Sequence, residues 1–265
     1  MDTWGILIGI AAAVGVGALL RRRKPAGMGR VLEIVAIVAA GGLSAAAASV
    51  GLRYLASSDH ATATEQALQV VREAPLVGLV LKENPALEAR FREAIEAELR
   101  SPTKSGPLRT YVVGAEVRQK LIVPALRNAD DATALKAIEA MQDFVKHLQV
   151  TNVALCKKFG LEGLQEPNRL DSAGATLFKR ALLAQEQAYL SGKARPVAPP
   201  QTADQAVSPL LTEAGYTAAD FEKLAALATS SDAAGCAVVV KLYAAPTLLP
   251  PQRGGILARY LLTVS

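Results

Sequence analysis

Two apolar segments without a charged residue, 4–20 and 34–52, lie close together at the start of the chain. At about 1.5 Å per residue they would extend roughly 26 and 29 Å as helices, close to the hydrocarbon thickness of a bilayer, about 30 Å. We therefore predict a transmembrane hairpin of two helices within residues 1–55.

A strongly basic loop separates the two segments. Residues 21–30 contain five positive side chains and no negative one. The topology-determining residues are Arg21, Arg22, Arg23, Lys24 and Arg30. Short loops rich in Lys and Arg stay in the cytoplasm. We therefore expect a bacterial inner-membrane protein in contact with membrane lipid, with residues 56–265 on the extracytoplasmic, periplasmic side.

Small residues four apart occur in both apolar segments. The pairs are Gly5 with Gly9, Gly41 with Ala45, and Gly42 with Ala46. Such spacing lets helix backbones approach closely in lipid. It predicts packing within the hairpin or against another membrane subunit, although Ala-rich composition alone explains the pattern about as well.

A start at Met28 offers a second interpretation of the N-terminal region. Residues 31–43 would then form the apolar part of a signal peptide, with Ala46 and Ala48 suiting the processing site. Both interpretations export residues 56–265.

The positive charge of the chain is concentrated in the predicted hairpin. The net charge is +5, from 29 Lys and Arg against 24 Asp and Glu. Residues 1–55 hold six of the former and two of the latter, so the rest carries only +1. Nucleic-acid binding needs a basic face on the folded domain, and we expect none.

Residues 56–265 are rich in Ala and Leu and poor in aromatic residues, which predicts an all-α helical bundle. We expect a main helical domain at 56–194, a Pro-rich linker or loop at 195–209, and a C-terminal helical subdomain at 210–265 that packs on the main domain. The expected helices are 62–82, broken near Pro75, then 85–100, 110–127, 130–159 and 171–189, followed by three short ones.

Individual residues mark the ends of these helices. Gly160 and Gly192 are the expected C-terminal caps of the two longest helices. Thr217 and Asp220 form the pattern of a capping box. Pro124 should bend or end its helix.

The only two cysteines, Cys156 and Cys236, both lie in the part expected to be exported. An isolated pair in an oxidising compartment is a disulfide candidate. The bond would close a loop of about 80 residues. By reducing the entropy of the unfolded chain, it would contribute up to about 4–5 kcal/mol to stability. The alternative is two buried thiols that never meet.

No catalytic residue, metal ligand or cofactor is assigned from the sequence. Asp143 and His147 share a helix face, but a surface hydrogen-bonded pair explains them better than a metal or acid–base site. The Glu and Arg residues of 85–100, such as Glu88 with Arg92, suit a solvated helix face.

We therefore expect an accessory, scaffolding or protein-interaction subunit of a bacterial envelope complex, with a membrane or envelope protein as partner. One alternative is an envelope enzyme or small-ligand binder with a cleft of Glu and Arg residues from separate helices. A second is a cytoplasmic adaptor with reversed topology.

Overall fold

The structure, a computed structural model, describes residues 60–101, 109–164, 169–194 and 204–264. Within these ranges the chain forms helices and no strand, which confirms the all-α class. The predicted transmembrane hairpin lies outside them. Among the helices that are described, none is both long and apolar enough to cross a bilayer.

Twelve α-helices make up the described ranges, supplemented by one π-helix and two short 3₁₀-helices. The α-helices are α1 His60–Glu73, α2 Pro75–Glu83, α3 Pro85–Arg100, α4 Arg109–Val117, α5 Val123–Arg127, α6 Asp131–Thr151, α7 Val153–Glu162, α8 Ser172–Ala194, α9 Asp204–Glu213, α10 Ala218–Ala225, α11 Asp232–Ala244 and α12 Pro251–Val264. The π-helix is Arg118–Ile122, and the 3₁₀-helices are Leu227–Thr229 and Ala245–Leu248.

The chain divides into two compact units. The first unit contains the described residues of 60–122 and 164–175, and the second unit contains those of 123–163 and 176–264. Each unit has its own buried apolar residues.

Two prolines set the helix junctions of the first unit. Ala74 is extended, and Pro75 then opens α2, which confirms the predicted break. Pro85 opens α3 at its first turn, where a missing N–H costs nothing. The side chain of Asn84 does not cap α3. Its amide nitrogen instead donates to the Val80 carbonyl at the end of α2, at 2.9 Å.

The predicted helix 110–127 is divided by a π-helix. Arg118–Ile122 takes the wider turn directly before Val123–Arg127. Pro124 lacks a backbone N–H and crowds the preceding turn, and an inserted residue in the helix relieves such crowding. The helix therefore does not end at Pro124, and the irregular turn lies N-terminal to the proline.

The predicted helix 130–159 is two helices, α6 and α7. Asn152 breaks it with a non-helical backbone and then caps α7, since its side-chain oxygen accepts from the Leu155 N–H at 3.0 Å. The prediction that Gly160 ends this helix was wrong. The chain turns at Gly163, whose φ of 73° favours glycine.

The aromatic centre of the second unit is Phe144, a fully buried residue of α6. Its ring meets Phe159 at 5.3 Å and Phe178 at 5.0 Å between centroids. Phe159 in turn lies 6.0 Å from Tyr243. Helices α6, α7, α8 and α11 therefore meet in one core. Apolar residues at spacings of three, four or seven along α6 and α7 are buried, with Leu135 only half-buried: Ile138, Met141, Phe144, Leu148, Leu155 and Phe159.

The C-terminal helices pack on the long helix pair. Helix α12 lies along α6, and α11 contacts both α6 and α7. Gly255 of α12 approaches Asp131 so closely that an added Cβ would overlap its side chain. The absence of a side chain at this point lets the last helix reach the start of α6.

Two other predictions of non-helical positions were wrong. Helix α8 continues past Gly192 to Ala194, and Gly192 instead provides room for the Ala125 carbonyl. Residues 204–209, expected in a linker, belong to α9, which contains Pro209. Residues 195–203 of that segment lie outside the described ranges.

Candidate functional site

The two cysteines lie at disulfide distance in the interior of the second unit. Cys156 on α7 and Cys236 on α11 have Cα atoms 5.2 Å apart, and the sulfurs are joined across a sequence separation of 80 residues. The Cα–Cα distance lies within the usual range for a disulfide, about 4.4–6.8 Å. Both residues are 0% exposed. We call Cys156 and Cys236, with the two helix segments that carry them, the cysteine clamp.

Neighbouring contacts hold the two helices of the cysteine clamp together. Gly160 of α7 faces Val239 of α11 so closely that a Cβ at position 160 would overlap the valine side chain. Lys157 packs its stem against Gly235, and its ammonium donates to the Ser230 carbonyl at 2.5 Å. That bond satisfies a carbonyl next to the start of α11. The clamp therefore combines apolar, polar and covalent contacts.

A partly buried ion pair joins α12 to the start of α6. The Arg259 guanidinium donates to the carboxylate of Asp131 and, at 3.1 Å, to the Ala129 carbonyl. The Arg259 side chain is only 7% exposed, whereas that of Asp131 is 37% exposed. We did not predict this pair. The sequence feature that indicates the pair is Arg259 itself, a cation within the apolar last helix.

The adjacent helix start is also held by side-chain bonds. The Asp130 carboxylate accepts from the Thr133 N–H at 2.8 Å, and the Ser191 hydroxyl accepts from the Asp130 N–H at 3.2 Å. Burial alone would raise the pKa of Asp130, but its hydrogen bonds with Thr133 and Ser191 lower it overall. These bonds fix the end of α8 beside the start of α6.

The predicted capping box of Thr217 and Asp220 is present and has an additional partner. Lys241 of α11 reaches the Asp220 carboxylate at 2.7 Å, which together with bonds from Thr217 lowers the pKa of that carboxyl. The Lys241 ammonium also lies 4.8 Å from the ring centroid of Tyr216. Burial, followed by the charge of Asp220, raises the pKa of the Tyr216 hydroxyl. The cluster ties α10 to α11.

The first unit carries an ionic network between α1 and α3. Arg72 bonds Glu88 at 2.5 Å and Glu65 at 2.6 Å, and Arg92 bonds Glu65 at 2.8 Å. Hydrogen bonds from Arg72 lower the pKa of both Glu65 and Glu88. The predicted pair of Glu88 with Arg92 is present at 3.9 Å, although Glu88 bonds Arg72 more closely. We call these four residues the α1–α3 charge network.

A second set of charges joins α3 to the α4 region. Glu116 accepts from Arg90 and, at 2.5 Å, from Lys120. Hydrogen bonds from Arg90 and Lys120 lower the pKa of Glu116 to about 2. The i,i+4 pair of Glu96 with Arg100 is present at 3.0 Å.

Several predicted site residues can now be located. Asp143, considered with His147, pairs with Arg180 of α8. Within the residues that the structure describes, no group of three or more His, Cys, Asp or Glu could hold a metal ion. The membrane-packing residues of 5–46 and the basic residues of 21–30 fall outside the described ranges.

Comparisons with protein-family models, with curated proteins and with solved structures find no match. The Glu and Arg residues of separate helices do meet, but they bond one another at the surface, with side chains between 30% and 51% exposed in the α1–α3 and Arg90–Glu116 contacts. This arrangement links helices.

Large apolar side chains are also exposed on the second unit. Val150, near the break between α6 and α7, is 84% exposed, and Leu248 is 65% exposed. Leu183 and Leu190 lie seven residues apart on α8, and both are exposed. Single exposed apolar residues are common, so only the pair on α8 defines a shared helix face.

Proposed function

We propose that this chain is a membrane-anchored helical protein whose two units lie on the extracytoplasmic side of a bacterial inner membrane. There it serves as an accessory, scaffolding or interaction subunit of an envelope complex. The observation that carries the proposal is the cysteine clamp, since disulfides persist mainly in oxidising compartments. The basic residues of 21–30 support the same address from the sequence alone.

The pattern of charge pairing supports a structural role. A catalytic or small-ligand site keeps polar groups aimed at the position of a reacting molecule. In the described helices several ionic contacts instead join one helix to another, as Arg72 does between α1 and α3 and Lys241 does between α10 and α11. The alternative of a cleft of Glu and Arg residues gains no support from these contacts.

Two fusions of alkaline phosphatase, which is active only after export, test the proposed address. One fusion follows Ser265, and the matched control follows Lys24 in the basic loop. We expect activity from the first and none from the second. The reverse result would overturn the proposal and favour the cytoplasmic adaptor.

Affinity capture from detergent-solubilised membranes tests the proposed role separately. An accessory subunit should recover a companion membrane or envelope protein in a fixed stoichiometric ratio, after crosslinking and without it. Recovery of the protein alone under both conditions would contradict the role while leaving the address intact.

A further inference from the structure

The sulfur atoms of the cysteine clamp are sealed inside the second unit. Cys156 and Cys236 are each 0% exposed. The neighbours Leu155 and Val239 are buried as well, and Phe159 and Tyr243 close the same helix pair. A thiol or disulfide reagent in solution therefore has no direct approach to either sulfur in the folded protein.

Exchange chemistry needs such an approach. In thiol–disulfide exchange, a thiolate attacks one sulfur of an existing disulfide, which breaks as a new disulfide forms. To make or break the Cys156–Cys236 bond, a third sulfur must therefore contact one of these two sulfurs. In the folded second unit, that third sulfur would occupy the space of packed side chains. The close contact of Gly160 with Val239 leaves no gap between the two helices at this level.

From these observations we infer that the Cys156–Cys236 bond is closed before the core of the second unit is complete, by exchange with an external disulfide donor, and is then permanent until the unit unfolds. The disulfide of the cysteine clamp thus forms during folding and stays closed in the folded unit. It is not a redox switch of the folded protein. The partner is a disulfide donor that reaches the open chain, and its location on the oxidising side rests on the proposed function.

The proposed step balances in two exchanges. The thiolate of one cysteine attacks the disulfide of the donor, forms a mixed disulfide and releases one donor thiolate. The second cysteine then attacks the mixed disulfide at the sulfur of the first, closes the intramolecular bond and releases the other donor thiolate. The protein loses two thiol protons to solvent and two electrons to the donor, which leaves as a dithiol.

Reduction of the full chain, purified in detergent, provides the first test. The oxidised protein is treated with dithiothreitol in native buffer and, in parallel, in concentrated urea, and free thiols are counted by the mass added by a maleimide. We expect reduction in urea to be at least about 100-fold faster than in native buffer, because native reduction must wait for opening of the unit. Equal rates would overturn the inference.

Single-thiol variants provide the matched control for access. The variant Cys156→Ala retains Cys236 as its only thiol, and Cys156→Ala/Cys236→Ala/Val150→Cys places one thiol at the 84% exposed position 150. We expect native maleimide labelling at position 150 to be complete before labelling at Cys236 is measurable. Labelling of both at the same rate would contradict a sealed pair, unless urea titration finds the Cys156→Ala variant unfolded, in which case the reduction test decides.

The order of oxidation and folding gives the last test. The reduced, unfolded chain is returned to native buffer with oxidised glutathione present from the start or added one hour later. We expect rapid oxidation in the first case and much slower oxidation in the second. A reduced chain that does not fold without oxidant also supports the inference, whereas equally rapid oxidation after folding overturns it. All three tests use purified protein, so their failure is distinct from a failure of the phosphatase fusions.

Discussion

The two units differ in the contacts that join their helices. In the first unit, partly exposed Arg and Glu residues join α1 to α3 and α3 to the α4 region. The second unit also has exposed pairs, such as Arg180 with Asp143, but it adds interior contacts: the cysteine clamp between α7 and α11 and a nearly buried Arg259 between α12 and α6. Both units also contain an apolar core.

This difference decides which conditions each unit should tolerate. Ion pairs between exposed side chains contribute little and are screened by salt. A disulfide acts mainly on the unfolded chain and is indifferent to salt and, over a wide range, to pH. The second unit should therefore depend more on redox state, and the first more on ionic strength and acidity.

The largest expected effect is the loss of the disulfide. In the double variant Cys156→Ala/Cys236→Ala, we expect the free energy of opening in α11 to fall by about 4.5 kcal/mol, the loop-entropy value for a separation of 80 residues. Hydrogen exchange of α11 amides measures this fall, and amides of α1 in the first unit are the control. A loss in α1 as large as that in α11 would break the comparison.

Two glycines, one in each unit, should respond to alanine with opposite sign. Gly160 faces Val239, so Gly160→Ala overpacks α7 against α11 and should destabilise the second unit by about 1–2 kcal/mol. An added Cβ at Gly114 of α4 meets nothing within 4 Å, and Gly114→Ala should stabilise the first unit by about 0.5–1 kcal/mol. Urea titration followed by hydrogen exchange measures both, and effects of the same sign would contradict the packing described.

Removal of Arg72 should have a smaller effect that depends on salt. Arg72→Met breaks two contacts of the α1–α3 charge network and should cost the first unit about 1 kcal/mol at low salt and much less in 1 M NaCl. Arg100→Met is the control, because the Arg100 pair with Glu96 stays within one helix and is more exposed. A loss that is unchanged by salt would show that Arg72 acts through packing.

The smallest effect concerns the response of the first unit to acid. The pKa of Glu116 is about 2 in the folded protein, below its ordinary value of 4.5, so its stabilising contribution is complete above pH 4.5 and is lost as the pH falls toward 2. Glu116→Gln should therefore flatten the dependence of first-unit stability on pH between 4.5 and 2. Denaturation curves at pH 6, 4 and 2.5 test this, and parallel curves for variant and parent would refute it.

Local signals in the sequence predicted much of the fold. Pro75, Pro85 and the Thr217–Asp220 capping box mark helix ends correctly, because each acts through its own backbone or through a residue three positions away. The meeting of the two cysteines was also anticipated, since the chain contains only one possible pair.

Several of the failures come from contacts between distant residues. Gly160 and Gly192 resemble helix caps, but each allows another element to approach closely, Val239 in one case and Ala125 in the other. The partners of Arg259 and Lys241 lie far away in sequence, so no local pattern identifies them. One sequence without its tertiary contacts cannot separate a glycine that ends a helix from one that makes room for a neighbour.

The redox state of the cysteine clamp in living cells tests the central claim most directly. Cells that express the full chain are quenched with acid, and the unfolded proteins are treated with a polyethylene glycol maleimide with or without prior reduction. The account predicts no mass shift without reduction and a shift of two adducts after it. Two adducts without reduction would show that Cys156 and Cys236 are free thiols in the cell, and would contradict both the clamp and the proposed address.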